Sequence, residues 1–131
     1  MKQLLEYMSN QTGFVHLQPA PEAEIRAAEQ KLNLSFAEDY RDYVSAYGAA
    51  SFCGHELTGV CNSKRLNVTD VTAEERQYQP NLPADWYVIE EAGIDGIVIW
   101  QSESGEVYQS WPDEHWIKVG NSITEYLSLT D

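Results

Sequence analysis

The chain has 131 residues, 21 Asp/Glu against 8 Lys/Arg, a formal net charge of −13, and 43% hydrophobic residues. That is one domain's length, expected to be a single domain over residues 1–131, with enough apolar side chains for a core that needs no disulfide staples. The charge argues against nucleic acid, whose phosphates call for Lys/Arg, and no apolar run approaches the roughly 20 residues that span a bilayer.

The first residues, MKQLLEYMSNQTG, carry one Lys and a short apolar patch broken by Glu6. They do not read as a signal peptide, so a cytoplasmic location is expected. Leu4, Leu5 and Met8 stand at helical spacing, which predicts a short amphipathic helix over residues 2–9, ended by Asn10 and Gly13. Residues 14–20 read as extended. Pro21 suits a first helical turn, and EAEIRAAEQKL follows with Ile25, Ala28 and Leu32 as its apolar stripe. Ser35-Phe36-Ala37-Glu38 has the form of a capping box opening a helix to about Tyr47, with Tyr40, Tyr43, Val44 and Tyr47 on one face and Gly48 as terminator.

Phe52 to Val60 reads as one strand with glycines at both ends. A short helix is expected within 68–78, starting at Asp70 or Thr72, with Glu74 and Glu75 in its first turn. Pro80 and Pro83 bound a loop. From Trp86 to Val119, β-branched and aromatic runs (Val88-Ile89, Ile97–Trp100, Val107-Tyr108, Trp116–Val119) alternate with the turn signals Asp95-Gly96, Ser102–Gly105 and Pro112–Glu114. This pattern predicts an antiparallel meander. A second capping box, Ser122–Glu125, opens a closing helix carrying Ile123, Tyr126, Leu127 and Leu129. The fold class is therefore α+β: N-terminal helices packed on a mainly antiparallel, twisted sheet (a meander), with a short C-terminal helix.

Catalysis needs titratable groups converging on one point. His55 and Glu56 are neighbours in an expected strand and point to opposite faces. Asp113-Glu114-His115 is a solvated turn rather than a metal site, and Glu90, Glu91 and Asp95 diverge. His16 has no motif around it. GxSxG, GxxxxGK[ST] and GxGxxG are absent. No catalytic residue, metal or other cofactor is expected. Cys53 and Cys61 fit no zinc spacing and read as reduced, buried structural thiols. The charge is uneven: residues 80–131 hold ten acids and one Lys, a balance of −9, against −4 for residues 1–79. An acidic half can simply aid solubility, and it also suits a basic protein partner.

The order of these pieces resembles the SUKH superfamily, the immunity-protein group that also contains a yeast cell-wall-synthesis regulator domain. Ile25–Leu32 resembles its first helix, and Phe36–Gly48 its second, through Asp39, Tyr40, Arg41, Tyr43, Tyr47 and Gly48. Gly54-His55-Glu56-Leu57-x-Gly59 resembles its first strand. Asp95-Gly96 with Gly105–Tyr108 resembles its central hairpin, and Ser122–Leu127 its closing helix. Ser35-Phe36 replaces the family's Leu-Pro, and Gly48-Ala49 its Asn-Gly. The resemblance implies an α+β fold and a non-catalytic role: neutralising a cognate toxin, often a nuclease, by direct binding. The alternative is a regulatory scaffold like the eukaryotic branch. On the immunity reading, the expected partner is a basic toxin domain, and its contacts would be Glu90, Glu91, Asp95, Glu103, Glu106, Asp113 and Glu114, with Trp111 and Trp116 as aromatic anchors.

Overall fold

A computed structural model describes residues 3–130; Lys2, expected to open the first helix, lies outside them. The elements in order are α1 (Gln3–Ser9), β1 (Val15–His16), α2 (Glu22–Leu32), α3 (Glu38–Tyr47), β2 (Ala50–Phe52), β3 (His55–Glu56), α4 (Val68–Tyr78), β4 (Tyr87–Glu91), β5 (Val98–Gln101), β6 (Val107–Ser110), β7 (Trp116–Gly120) and α5 (Ile123–Thr130). The fold class is α+β, as expected. An antiparallel sheet β1-β2-β3 adjoins the antiparallel meander β4-β5-β6-β7, joined to it by a bridge between Leu57 and Glu90.

The meander has two faces because side chains alternate along a strand. Tyr87, Ile89, Ile99 and Val107 enter the main core with Leu4, Met8, Ile25, Tyr40, Tyr43, Ile123 and Leu127 from the helices. Val88, Val98 and Trp100 face the other way and pack with Val71, Leu82 and Trp86, under α4 and the loop after it. Leu129 stays in solvent rather than joining the apolar face of α5.

The Asp39–Tyr43 segment explains how α3 is locked in place. Tyr43 donates its hydroxyl proton to the Thr58 carbonyl (2.7 Å) and accepts the Ala50 N–H (2.9 Å). The Thr58 hydroxyl gives its single proton to the Val88 carbonyl, so the Tyr40 hydroxyl is the donor in its 2.9 Å bond to Thr58. Tyr87 accepts the Ala37 N–H and donates to Gln101, whose amide donates to Asp39; the second Asp39 oxygen accepts the Ile123 N–H at the start of α5. Burial pushes the Tyr43 and Tyr87 phenols well above their ordinary range, so both stay protonated and keep their donor role.

Four local expectations are corrected. The box at Ser35 does not cap α3: the N-cap residue is Ala37, with no side-chain bond. The N–H groups of Ser35, Phe36 and Ala37 go instead to Glu103, Glu29 and Tyr87, all distant in sequence or outside the helix. Phe52 to Val60 is not one strand. Cys53 and Gly54 both have positive φ (47° and 82°) and form the two-residue turn of a hairpin in which Phe52 pairs with His55. That turn leaves the Cys53 thiol exposed rather than buried. Finally, α4 starts at Val68, because the Asn67 side chain accepts the Thr69 N–H (2.9 Å), which puts Glu74 and Glu75 in mid-helix. The closing box does form: the Glu125 N–H donates to Ser122 Oγ (3.1 Å) and the Glu125 carboxylate takes the Asn121 N–H (2.6 Å). Gly48 ends α3 with φ +70°, and a Cβ there would lie 2.1 Å from the Gln18 carbonyl oxygen, so only glycine fits.

Candidate protein-binding surface

An antiparallel meander places alternate turns at the same end. The β4–β5 and β6–β7 turns therefore lie side by side, so close that a Cβ on Gly96 would meet Pro112 at 2.7 Å. In the first turn Asp95 and Gly96 both have positive φ (53° and 71°), the mirror-image turn that matches strand twist, and the Ile97 N–H closes it on the Ile94 carbonyl (2.9 Å). Ile94 is held outward, 63% exposed. In the second turn Glu114 takes φ +71°, a conformation costly for a residue with a Cβ. Its carboxylate accepts the backbone and side-chain N–H groups of Asn81 (2.7 and 3.0 Å), which holds it there.

Of the nine residues expected to meet a partner, the fold brings Asp95, Asp113, Glu114 and Trp111 to this end. Asp113 accepts from the His115 ring and backbone, and that bonding holds its carboxyl below the usual range. The Trp111 ring stacks on His115 with centroids 4.2 Å apart. Trp116 follows on β7, 47% exposed, edge-on to Trp86 and Tyr108. Glu91 is exposed on β4 and interacts with Glu75 of α4. Desolvation first, then the hydrogen bond to Glu91, pushes the Glu75 carboxyl up to about 8.

Glu103 and Glu106 belong to the opposite end of the sheet. Glu103 accepts the Ser35 N–H (2.6 Å), and Glu106 accepts from the Tyr108 hydroxyl (2.6 Å) and the Lys118 ammonium (3.1 Å). Strands of this length, at about 3.3 Å per residue, keep these two roughly 10–15 Å from the other turns.

Glu90 is not a surface residue. It is 6% exposed. His55 Nδ1 lies 3.0 and 3.1 Å from its two oxygens, and the Tyr126 hydroxyl donates to it at 2.6 Å. The cause is a bulge: the register shifts between Val88 and Glu90, so Glu90 sits opposite Ile99 on the core face instead of sharing a face with Val88. His55 Nε2 contacts Thr130 Oγ1 (3.1 Å), whose proton goes to the Leu127 carbonyl (2.9 Å). The doubly protonated ring therefore satisfies every member of this chain, and the Glu90 bond raises the His55 pKa. This cluster ties α5 to β3 and β4. Nothing in the sequence around Glu90 signalled it; its partners come from two other elements.

A groove of about 620 Å³ lies between α2, Arg41 and Glu103. Its charges pair with one another: Glu22 accepts from Arg26 (2.9 Å) and Arg41 (2.7 Å). Among the described residues no group of three or more His, Cys, Asp or Glu is arranged to hold a metal ion, and no helix is long and apolar enough to cross a membrane.

The family profile described as SMI1-KNR4 cell-wall (SUKH_5) matches residues 1–128. The chain belongs to that family. The SUKH likeness of the two tyrosine-bearing and alanine-bearing helices, the hairpin and the closing helix thus spans nearly the whole sequence. Among solved structures, the chain is similar to the crystal structure of a protein from Pseudomonas syringae pv. tomato, with a TM-score of 0.78 and 13% identity, over 98% of this chain and 96% of that one. At that identity the likeness concerns the fold alone. No curated protein shows a significant match. The SUKH family is consistent with immunity proteins and with interaction modules, and its domains are generally non-catalytic.

Proposed function

We propose that this chain is an immunity protein that neutralises a cognate toxin by direct contact in the cytoplasm, and that the toxin domain is basic, as a nuclease would be. One observation carries this reading: exposed acids and exposed apolar side chains share one end of the meander. Asp95 and Asp113 stand beside Ile94, with Trp116 on the adjoining strand. Acids at a rim steer and orient a basic partner, and a desolvated aromatic at the centre supplies affinity. Glu91 and Glu114 add to the field around this patch, Glu103 and Glu106 lie at the far end of the sheet, and Trp111 stiffens the patch through its stack on His115. Lys118, the only Lys or Arg within residues 80–131, is paired with Glu106.

The test is co-expression with the product of the gene directly upstream. A stoichiometric complex and rescue of cells from that product's toxicity are expected. The association rate should fall between low salt and about 0.15 M, where the Debye length is about 8 Å. Absence of both complex and rescue overturns the immunity reading in favour of a regulatory module. Rescue with a salt-independent association rate overturns only the role of charge.

A further inference from the structure

We propose that the free edge of β7 is a strand-addition site for an extended, basic segment of the partner. This rests on the reading of the chain as a protein-binding module and says how it binds. The sheet order leaves β7 with a neighbour on one side only, while β4 at the other margin is bridged to Leu57.

The hydrogen-bond alternation fixes which groups are open. The Trp111 N–H donates to the His115 carbonyl (3.1 Å), flanking the Ser110–Trp116 pair. Ser110–Trp116, and two residues on Tyr108–Lys118, are thus the pairs whose backbone groups turn away from each other. The N–H and C=O of both Trp116 and Lys118 consequently point to the open edge.

Such edges are ordinarily blocked by Pro, by a projecting Lys or by a bulge. Here β7 contains no Pro, the Lys118 ammonium is drawn back to Glu106, and the bulge falls at Val119, beyond the open stretch. Trp116 and Ile117, 47% and 49% exposed, lie on opposite faces of the strand, ready to flank alternate side chains of an added strand. Charge selects the occupant. A second copy of this chain would set −13 against −13, and an acidic segment would meet Asp113, whereas a basic one is attracted.

The test uses short capped peptides: alternating Lys and Val, alternating Glu and Val, and the Lys/Val peptide N-methylated along one edge. Binding is read by amide chemical shifts and hydrogen exchange on the full chain. The Lys/Val peptide should shift the Trp116–Lys118 amides and slow exchange at Trp116 and Lys118. The Glu/Val and N-methylated peptides should bind at least about tenfold more weakly. K118P removes an outward N–H without touching a ladder bond and should weaken binding about tenfold, while K118A, which keeps that N–H, should change it less than about threefold. Where K118P unfolds, the N-methylated peptide decides. Equal binding of the methylated peptide, shifts confined to the Asp95 turn, or no binding by any peptide overturns edge addition. Toxin rescue by the unmodified chain in any of those cases leaves the immunity reading standing.

Discussion

On the meander face that meets α3, the hydroxyls of Tyr40, Tyr43 and Tyr87 are all buried and all bonded to backbone or side-chain partners across elements. On the face that meets α4, the cluster is smaller and dissolves at its rim into Tyr108 and an exposed Trp116. The first face uses aromatic groups to define one arrangement, because an unmet buried donor or acceptor is costly and only the native packing meets them all. The second leaves aromatic surface unspent, and that is where an interface can draw on it. The proposed recognition site would thus draw its aromatic anchor from the face that does less to define the core.

Removing a hydroxyl from the sealed face should hurt most. Tyr43→Phe orphans the Ala50 N–H and the Thr58 carbonyl together, and is expected to cost ~2–4 kcal/mol by urea denaturation. Trp116→Ala, on the open face, should cost about 1 kcal/mol or less, since half of that side chain already lies in water, yet should weaken binding to the partner more than tenfold. Reversed magnitudes would break the contrast.

The buried cluster at Glu90 and the acid pair at Glu75 sharpen it through pH. His55 has its pKa raised above 6.5 by Glu90, so its stabilisation is complete below the unfolded value and is lost as pH rises through the folded one. Glu75 also holds a proton more tightly when folded, its pKa moving from 4.5 to about 8, so its contribution to stability falls over that window as well. Melts from pH 5 to 9 should show stability falling with pH. His55→Gln should flatten one part of the fall. Glu75→Gln should flatten the other and raise stability at pH 8. A parent chain whose stability rises over that range would contradict both assignments. The smallest effect belongs to Ser35→Ala, expected within about 0.5 kcal/mol of the parent because the Ser35 hydroxyl caps nothing.

The meander was legible because its turns carry their own chemistry: Asp95-Gly96 needs no distant partner to form. The closing box at Ser122 was legible for the same reason. Ser35 misled because three N–H groups ahead of α3 are served by side chains from α2, β4 and the β5–β6 turn, which local spacing does not reveal. Glu90 misled because strict alternation along β4 ignores the extra residue at the bulge, whose carbonyls at Val88 and Ile89 are taken by Thr58 from the preceding loop. The tip acids could be named from sequence, but their separation from Glu103 and Glu106 follows from the meander's geometry.

The Glu90 cluster has a consequence for how the chain is made. The Tyr126 hydroxyl that satisfies Glu90 comes 36 residues after it, and the Asp39 oxygen that starts α5 waits 84 residues for the Ile123 N–H. A ribosome therefore delivers the sheet before the helix that completes its interior. A chain lacking α5 would leave the Glu90 carboxyl without its Tyr126 donor, so closing that corner of the core depends on α5.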